Sequence, residues 1–217
     1  MSTHTGKGDA LRASPRMFRL GVLDRLSRVH PSVPAIIFGP IIVALEVWGL
    51  KRVSIPVTIG LAALGYALWT LLEYWLHRIV FHFEPEDGWG ARLHWIIHGV
   101  HHEHPNDPLR LVMPPAVSVP LAAVFFVIFY AVFGRDLAPG ITAGFLGGYL
   151  VYDYTHFYVH HGRPHNPVAR YLRERHMRHH FQDDTRGFGV SAPYWDDVFR
   201  TAPRSRREAR RGATRSS

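Results

Sequence analysis

Apolar residues are concentrated in four long stretches of the chain, which polar segments separate. The first stretch is interrupted only by Glu46, and the fourth remains apolar on both sides of Asp153. Each stretch approaches the roughly 20 residues that a helix needs to cross the hydrocarbon core of a bilayer. The four stretches are residues 33–50, 53–72, 111–134 and 137–159.

The pattern predicts four transmembrane helices, because a backbone exposed to lipid must satisfy its hydrogen bonds within the helix. A soluble bundle of four buried helices is disfavoured, since the stretches carry no polar stripe. We therefore expect an all-α integral membrane protein in which four transmembrane helices carry a cytosolic, histidine-rich helical cap. The membrane domain would comprise residues 31–201, between a basic cytosolic N-terminal segment (1–30) and a basic disordered tail (202–217).

The 25 Lys and Arg residues are distributed unevenly among the polar segments. Only Lys51, Arg52 and Arg135 lie in the two loops that join the first stretch to the second and the third to the fourth. The positive-inside rule therefore places both termini in the cytoplasm. Contact with anionic lipid headgroups then explains the formal net charge of +8. We expect no nucleic-acid partner, since no binding motif accompanies the basic tail.

Composition narrows the chemistry that the chain can support. The absence of cysteine excludes disulfides, thiolate zinc sites and iron–sulfur clusters. Histidine is unusually abundant, with 16 residues against 17 Asp plus Glu. Ten of the histidines form four clusters, all of which the predicted topology places on the cytosolic side. They are His77 and His82; His98, His101 and His102; His156 and His160; and His176, His179 and His180 in a second triplet.

The spacing within these clusters is typical of metal ligands carried on helices. Both triplets have the form H-x-x-H-H, which places all three imidazoles on one helix face. His156 and His160, four residues apart, align in the same way. His77 and His82 are five residues apart and do not align on an ideal helix. Either the helix ends between them or a local distortion brings them together.

The arrangement is repeated along the chain: a histidine pair at the end of an apolar stretch is followed by a triplet. The gap between pair and triplet is the same in both repeats, from His82 to His98 and from His160 to His176. We therefore predict two half-sites of five histidines, one from each repeat, that hold two metal ions facing each other.

Neutral imidazole binds both iron and zinc well. Iron is expected, because two irons can share the electrons needed to split O2, whereas zinc fits the ligands as a substitute but cannot change redox state. Glu73 lies four residues before His77, and Asp153 lies three residues before His156. We expect each carboxylate to accept the second ring N–H of its histidine and thereby fix the tautomer.

The sequence around the histidines resembles that of the fatty acid 2-hydroxylases, which belong to the sterol desaturase and fatty acid hydroxylase superfamily. The resemblance covers roughly residues 35–201. It is carried by the motifs EYWLHR at 73–78, HGVHH at 98–102, DPLRLVMPP at 107–115, YDYTH at 152–156, HMRHHF at 176–181 and GFGVS at 187–191.

The resemblance implies a four-span enzyme with a cytosolic dimetal cap that hydroxylates a lipid acyl chain at carbon 2. It also implies O2 as the oxidant and a supply of electrons. Some members of the family carry an N-terminal haem domain as the electron carrier. Here few residues precede the first stretch, and His30-Pro31 lacks the glycines that follow in that domain. A separate electron-donor protein is therefore expected.

Three other functions are compatible with part of this pattern. An acyl desaturase or a sterol or carotenoid oxidase would share the architecture and differ in its product. A metal transporter would place its ligands near the bilayer midplane, which disfavours it because these histidines lie at the ends of the stretches and in loops. A non-catalytic metal-binding membrane protein would bind metal without consuming O2.

Overall fold

The computed structural model describes residues 6–83 and 85–204, and all regular secondary structure within them is helical. In chain order, the elements are α1 (Lys7–Leu11), α2 (Gly21–Leu26), α3 (Val33–Leu50), α4 (Ile55–Trp75), a π-helical turn (Leu76–Phe81), α5 (Gly88–His94), a second π-helical turn (Trp95–Gly99), α6 (Val100–Glu103), α7 (Pro115–His161), α8 (Pro167–Phe181) and α9 (Tyr194–Val198).

Three of the described helices are long and apolar enough to cross a membrane: α3, α4 with the π-helical turn that extends it, and α7. Their outer surfaces are apolar. Ile36 on α3, Ile59 on α4 and Val132 on α7 are each about two-thirds exposed. Water does not favour a continuous apolar surface of this kind, whereas the interior of a bilayer does.

The long helix α7 contains the third and fourth apolar stretches and folds back on itself between them. Gly134 has φ 76° and ψ 173°, a conformation open to glycine and strained for other residues. The rings of Phe125 and Phe145 lie 4.7 Å apart, whereas a straight helix would separate these residues by about 30 Å. We call the two antiparallel halves α7a (residues 115–133) and α7b (residues 135–161).

Glycines allow α4 and α7b to pack with their backbones in contact. A Cβ atom added at Gly65 would overlap the carbonyl oxygen of Ile141, and one at Gly144 would overlap the carbonyl oxygen of Ala62. The two helices run in the same direction, because later residues of α4 meet later residues of α7b: Trp69 lies against Gly148. The histidine pairs at the ends of α4 and α7b are therefore brought to the same end of the bundle.

The remaining helices and loops form a cap at that end, and the N-terminal segment packs against it. The N–H of Asn106 donates to the carbonyl of Leu11 (3.0 Å), and the N–H of Val29 donates to the carbonyl of Leu109 (2.8 Å). Residues 6–30 thus lie along the loop that follows the first histidine triplet. The first three residues of the predicted disordered tail (202–217) are described, and the carbonyls of Ala202 and Arg204 accept hydrogen bonds from Arg186 and Arg178. The rest of the tail, residues 205–217, lies outside the described residues.

Candidate metal centre

A π-helical turn resolves the five-residue spacing of His77 and His82. Residues Leu76–Phe81 continue α4 with i→i+5 hydrogen bonding, so residues five apart come into line. The Nε2 atoms of the two histidines are 3.3 Å apart. Of the two sequence-based alternatives, the local distortion is therefore confirmed.

The first triplet also begins in a π-helical turn, Trp95–Gly99, which contains His98, and its members point in two directions. The Nε2 atom of His98 lies 3.2 Å from that of His77, in the same repeat. The Nε2 atom of His101 lies 3.0 Å from that of His156, in the other repeat. The second triplet mirrors this arrangement, since His179 lies 3.1 Å from His82 between Nε2 atoms.

All ten predicted histidines come together in two groups of five, but the groups are not the predicted half-sites. In each group, one ring nitrogen from each of the five histidines lies within 4.8 Å of all the others. The prediction that each repeat supplies its own five ligands is wrong, because the middle histidine of each triplet belongs to the opposite group. The first group is His77, His82, His98, His102 and His179, and the second group is His101, His156, His160, His176 and His180.

Helix geometry explains the exchange. Successive residues on an α-helix are rotated by about 100°, so the adjacent second and third histidines of H-x-x-H-H diverge by that angle. The first and third histidines, four residues apart, stay together, as His176 and His180 do with Nε2 atoms 3.1 Å apart. Each triplet therefore lies between the two groups and contributes to both.

The loop after α8 orients two histidines of the first group. The Nδ1–H of His77 donates to the carbonyl of Phe188 (2.7 Å), and the Nδ1–H of His179 donates to the carbonyl of Arg186 (2.8 Å). Since the proton is on Nδ1 in both rings, both Nε2 atoms present a lone pair to the centre of the group. In the second group, by contrast, the Nδ1 atoms of His156, His176 and His180 are buried without a partner among the described residues.

Electrostatics keep the cap histidines neutral. Burial, with repulsion from the neighbouring His179, lowers the pKa of His102 to about 2 and that of His82 to about 3. Burial also lowers the pKa of His98, His101 and His180 well below the usual value. Neutral imidazoles with converging lone pairs repel one another, and a cation at the centre of each group removes that repulsion. The donor set therefore fits two metal ions.

The two predicted carboxylates are buried near the groups, but they do not make the expected contacts. Glu73 accepts hydrogen bonds from the backbone N–H (2.7 Å) and the hydroxyl of Ser191, while His77 uses the carbonyl of Phe188 instead. Asp153 is fully buried and does not accept the Nδ1–H of His156. The expected pairings are thus corrected: Glu73 holds the loop that orients His77, and a backbone carbonyl replaces the carboxylate.

Sequence reasoning missed Asp196, which holds the same loop. Its carboxylate is fully buried and accepts the N–H groups of Phe188 (2.9 Å) and Gly189 (3.0 Å) and the hydroxyl of Thr201 (2.8 Å). The motif GFGVS is part of the resemblance. Nothing in its spacing indicates that the carbonyl of Phe188 contacts His77, which is far away in the chain.

Six histidines were left out of the predicted ligand set: His4, His30, His94, His104, His161 and His165. His4 lies outside the described residues, and the other five belong to neither group. His104, for example, donates its Nδ1–H to the carbonyl of Ala10 (2.6 Å) and so helps to hold the N-terminal segment.

An apolar cavity lies between α4 and α7. Its lining includes Leu76, the residue before His77 in the chain, and Tyr149 of α7b, one turn before Asp153. The cavity is lined by Trp69, Leu72, Leu76, Met113, Ser118, Leu121, Ala122, Phe125, Phe145, Leu146 and Tyr149.

Comparison with known proteins gives concordant results. A family model described as fatty acid hydroxylase matches residues 62–201. A dihydroceramide fatty acyl 2-hydroxylase of Arabidopsis thaliana is 37% identical over 190 residues, which cover 87% of this chain and 80% of the relative. The fatty acid 2-hydroxylase of Rattus norvegicus is 40% identical over 210 residues, covering 86% of this chain and 56% of that longer protein. A solved structure of full-length Scs7p, with only its hydroxylase domain visible, superposes with a TM-score of 0.79 at 37% identity, covering 83% of this chain and 69% of that one.

Proposed function

Since this chain belongs to the fatty acid hydroxylase family, we propose that it is a membrane-bound monooxygenase that hydroxylates a lipid acyl chain at carbon 2. The observation that carries the proposal is the pair of five-histidine groups at the ends of apolar helices. The names of the relatives mention the acyl chain of dihydroceramide in one case and fatty acids in the other. Both classes of lipid have a carbonyl next to carbon 2, so either is compatible with the same attack.

Each histidine group would hold one iron ion in the proposed enzyme. When bound, the two ions would supply the redox chemistry that inserts one oxygen atom of O2 into a C–H bond, while two electrons from the donor and two protons reduce the other atom to water. The protein contributes neutral, buried ligands that exclude water from the centre. The carbonyls of Arg186 and Phe188 orient His179 and His77 so that their Nε2 atoms face the ion. Glu73 remains a positioning residue through Ser191, and Asp153 remains a proposed contributor beside the second group.

The apolar cavity accommodates the acyl tail. Its lining of Leu, Met and Phe side chains matches a hydrocarbon chain, and it includes Leu76, the residue that precedes the ligand His77 in the chain. The tail would therefore occupy the space between α4 and α7 while the carbonyl end stays near the cap.

Carbon 2 is favoured by where the metals lie relative to the membrane. The histidines lie at the ends of apolar helices, so the metals would sit near the headgroup level. A lipid with its polar head at that level presents the carbons beside the head. Attack at mid-chain would draw many methylenes out of the bilayer, each at a cost of about 0.8 kcal/mol if it met water.

We also propose four spans, namely α3, α4, α7a and α7b, with both termini in the cytoplasm and a catalytic membrane domain of residues 31–201. The fold at Gly134 and the positions of Lys51, Arg52 and Arg135 support this topology. Reporter fusions at residues 52 and 136 should lie outside and a fusion at residue 105 inside. An external signal at 105 would refute the topology.

A separate protein would supply the electrons.

Lipid mass spectrometry after expression in a host that lacks 2-hydroxy lipids tests the activity. Acyl chains should gain one oxygen atom, and fragmentation should locate it at carbon 2. His101→Ala should abolish the product, whereas His30→Ala, at an exposed histidine outside both groups, should not. A double bond or a mid-chain hydroxyl would instead favour the desaturase-like alternative. Bound metal without any lipid product would favour a non-catalytic metal protein.

A further inference from the structure

The short helix α2 presents its apolar side chains outward, whereas Asp24 and the adjacent Ser27 face inward. Leu20, just before the helix, and Val22 within it are 67% and 69% exposed, and Leu26 is 55% exposed. Asp24 and Ser27, in contrast, are only 7% and 8% exposed. A helix on a water-facing surface has the opposite arrangement, because exposing leucine and valine to water is unfavourable.

The inward orientation of the polar side is fixed by specific contacts. Asp24 accepts the backbone N–H of Met17 (2.7 Å) and pairs with Arg110 (3.5 Å), and Arg110 also donates to the hydroxyl of Ser27 (3.1 Å). Rotating α2 to hide its apolar side would break these contacts and leave Arg110 buried without Asp24. The outward apolar side is therefore a stable feature of the fold.

The position of α2 brings this apolar side close to the surface of the apolar helices. Leu26 precedes the start of α3 at Val33 by seven residues, and Arg110 precedes the start of α7 at Pro115 by five. At no more than about 3.6 Å per residue, α2 lies within about 25 Å of the first turn of α3. Exposed arginines lie beside the apolar residues in the sequence at positions 16, 19 and 25, as expected of a segment near lipid phosphates.

We infer that α2 is an interfacial membrane anchor, with Leu20, Val22, Leu23 and Leu26 inserted into the lipid leaflet that surrounds α3 and α7. The occupant of this apolar side is lipid, because the chain holds α2 within reach of the first turn of a spanning helix and exposed arginines lie beside its apolar residues in the sequence. The inference rests on the proposed membrane embedding. It changes the expected role of residues 1–30: part of the basic cytosolic segment lies in the membrane surface and holds the loop after the first histidine triplet through Arg110.

Spin labels at single introduced cysteines test the anchor without background, because the chain contains no cysteine. The labelled full-length protein is reconstituted in nanodiscs that contain anionic phospholipid. Accessibility to O2, which partitions into lipid, is compared with accessibility to a water-soluble nickel chelate. The labelled variants are Val22→Cys in α2, Ile59→Cys on the exposed apolar surface of α4, and Thr185→Cys in an exposed polar loop.

The Val22 label should resemble the Ile59 label, with O2 accessibility above that of the nickel chelate, and the Thr185 label should show the reverse. A Val22 label as accessible to the chelate as the Thr185 label would overturn the anchor. So would a Val22 label shielded from both reagents with a dipolar coupling between copies, which would show a second chain on this side of α2. A water-exposed Ile59 label would instead refute the membrane embedding itself. None of these readings requires turnover, so they are independent of the hydroxylation assay.

Discussion

The cap buries a cluster of arginines and aspartates around Arg110 as well as the two histidine groups. The arginine cluster and the histidine groups differ in how their charges are balanced. In the arginine cluster, Arg110 lies 3.5 Å from Asp24 and 3.4 Å from Asp107, and Arg28 pairs with Asp24 at 3.3 Å. Cation and anion both come from the polypeptide. The two histidine groups contain ten imidazoles and no carboxylate.

The difference shows which part of the cap depends on a cofactor. Charges buried in the arginine cluster compensate each other once the chain has folded. The converging lone pairs of the histidine groups are compensated only when a cation lies between them. The arginine cluster should therefore keep its structure when metal is removed, whereas the histidine groups should not.

The largest effect is expected from removing one histidine of a group. His101→Ala should abolish turnover and reduce bound metal from two ions per chain to about one, because the second group loses a ligand. His179→Ala should likewise abolish turnover and remove the metal ion of the first group. In both variants, the missing histidine comes from the repeat that supplies most ligands of the other group. Metal analysis of the purified variants measures this. Retention of two ions and full activity in either variant would show that the assigned ligands are wrong.

Removal of metal should destabilise the whole cap. A ligand present at 100 times its dissociation constant stabilises the folded state by about 2.7 kcal/mol per site. A chelator should therefore lower the unfolding temperature, and iron or zinc should restore it. If the temperature stayed the same while the metal was lost, the histidine groups would be stable without a cation, and the contrast with the arginine cluster would fail.

Breaking the arginine cluster should also destabilise the protein, but without affecting the metal sites. Arg110→Met leaves the buried carboxylate of Asp107 without its cation and Asp24 with Arg28 alone, at an expected cost of about 3–5 kcal/mol. Arg135→Met is the matched control, because Arg135 is exposed and its pair with Asp136 should contribute less than about 1 kcal/mol. Thermal unfolding compares the two variants, and the folded Arg110→Met protein should still contain two ions. An equal change in both variants would contradict this interpretation of the cluster.

The smallest effect is expected from loosening the loop that orients the first group. Asp196→Asn removes the charge that accepts the N–H groups of Phe188 and Gly189. It should weaken the affinity for one of the two ions by roughly 10-fold, a typical effect of residues that orient metal ligands. Metal titration should resolve one weakened and one unchanged site. Asp197→Asn, at the exposed neighbour, should change neither, and equal weakening of both sites by Asp196→Asn would refute a role specific to the first group.

The sequence predicted the components of the site more accurately than their pairing. The apolar stretches and the ten clustered histidines could be predicted from spacing within single segments, because helix geometry determines which residues share a face. The exchange of His101 and His179 depends on how two helices face each other, and spacing within one helix does not show that. The contact of Glu73 with Ser191 could not be predicted for a similar reason, since the two residues are far apart in the chain. The inward-facing Asp24 was missed because its partner, Arg110, lies beyond two apolar stretches.

The exchange of His101 and His179 has a consequence for synthesis on the ribosome. The first group takes four residues from the early part of the chain and His179 from α8. The second group takes His101 from the early part and the rest from α7 and α8. Neither site is complete in the nascent chain until α8 has emerged and docked. In the proposed enzyme, metal loading would thus be a final step of biogenesis, and a chain truncated before α8 would lack a complete metal site.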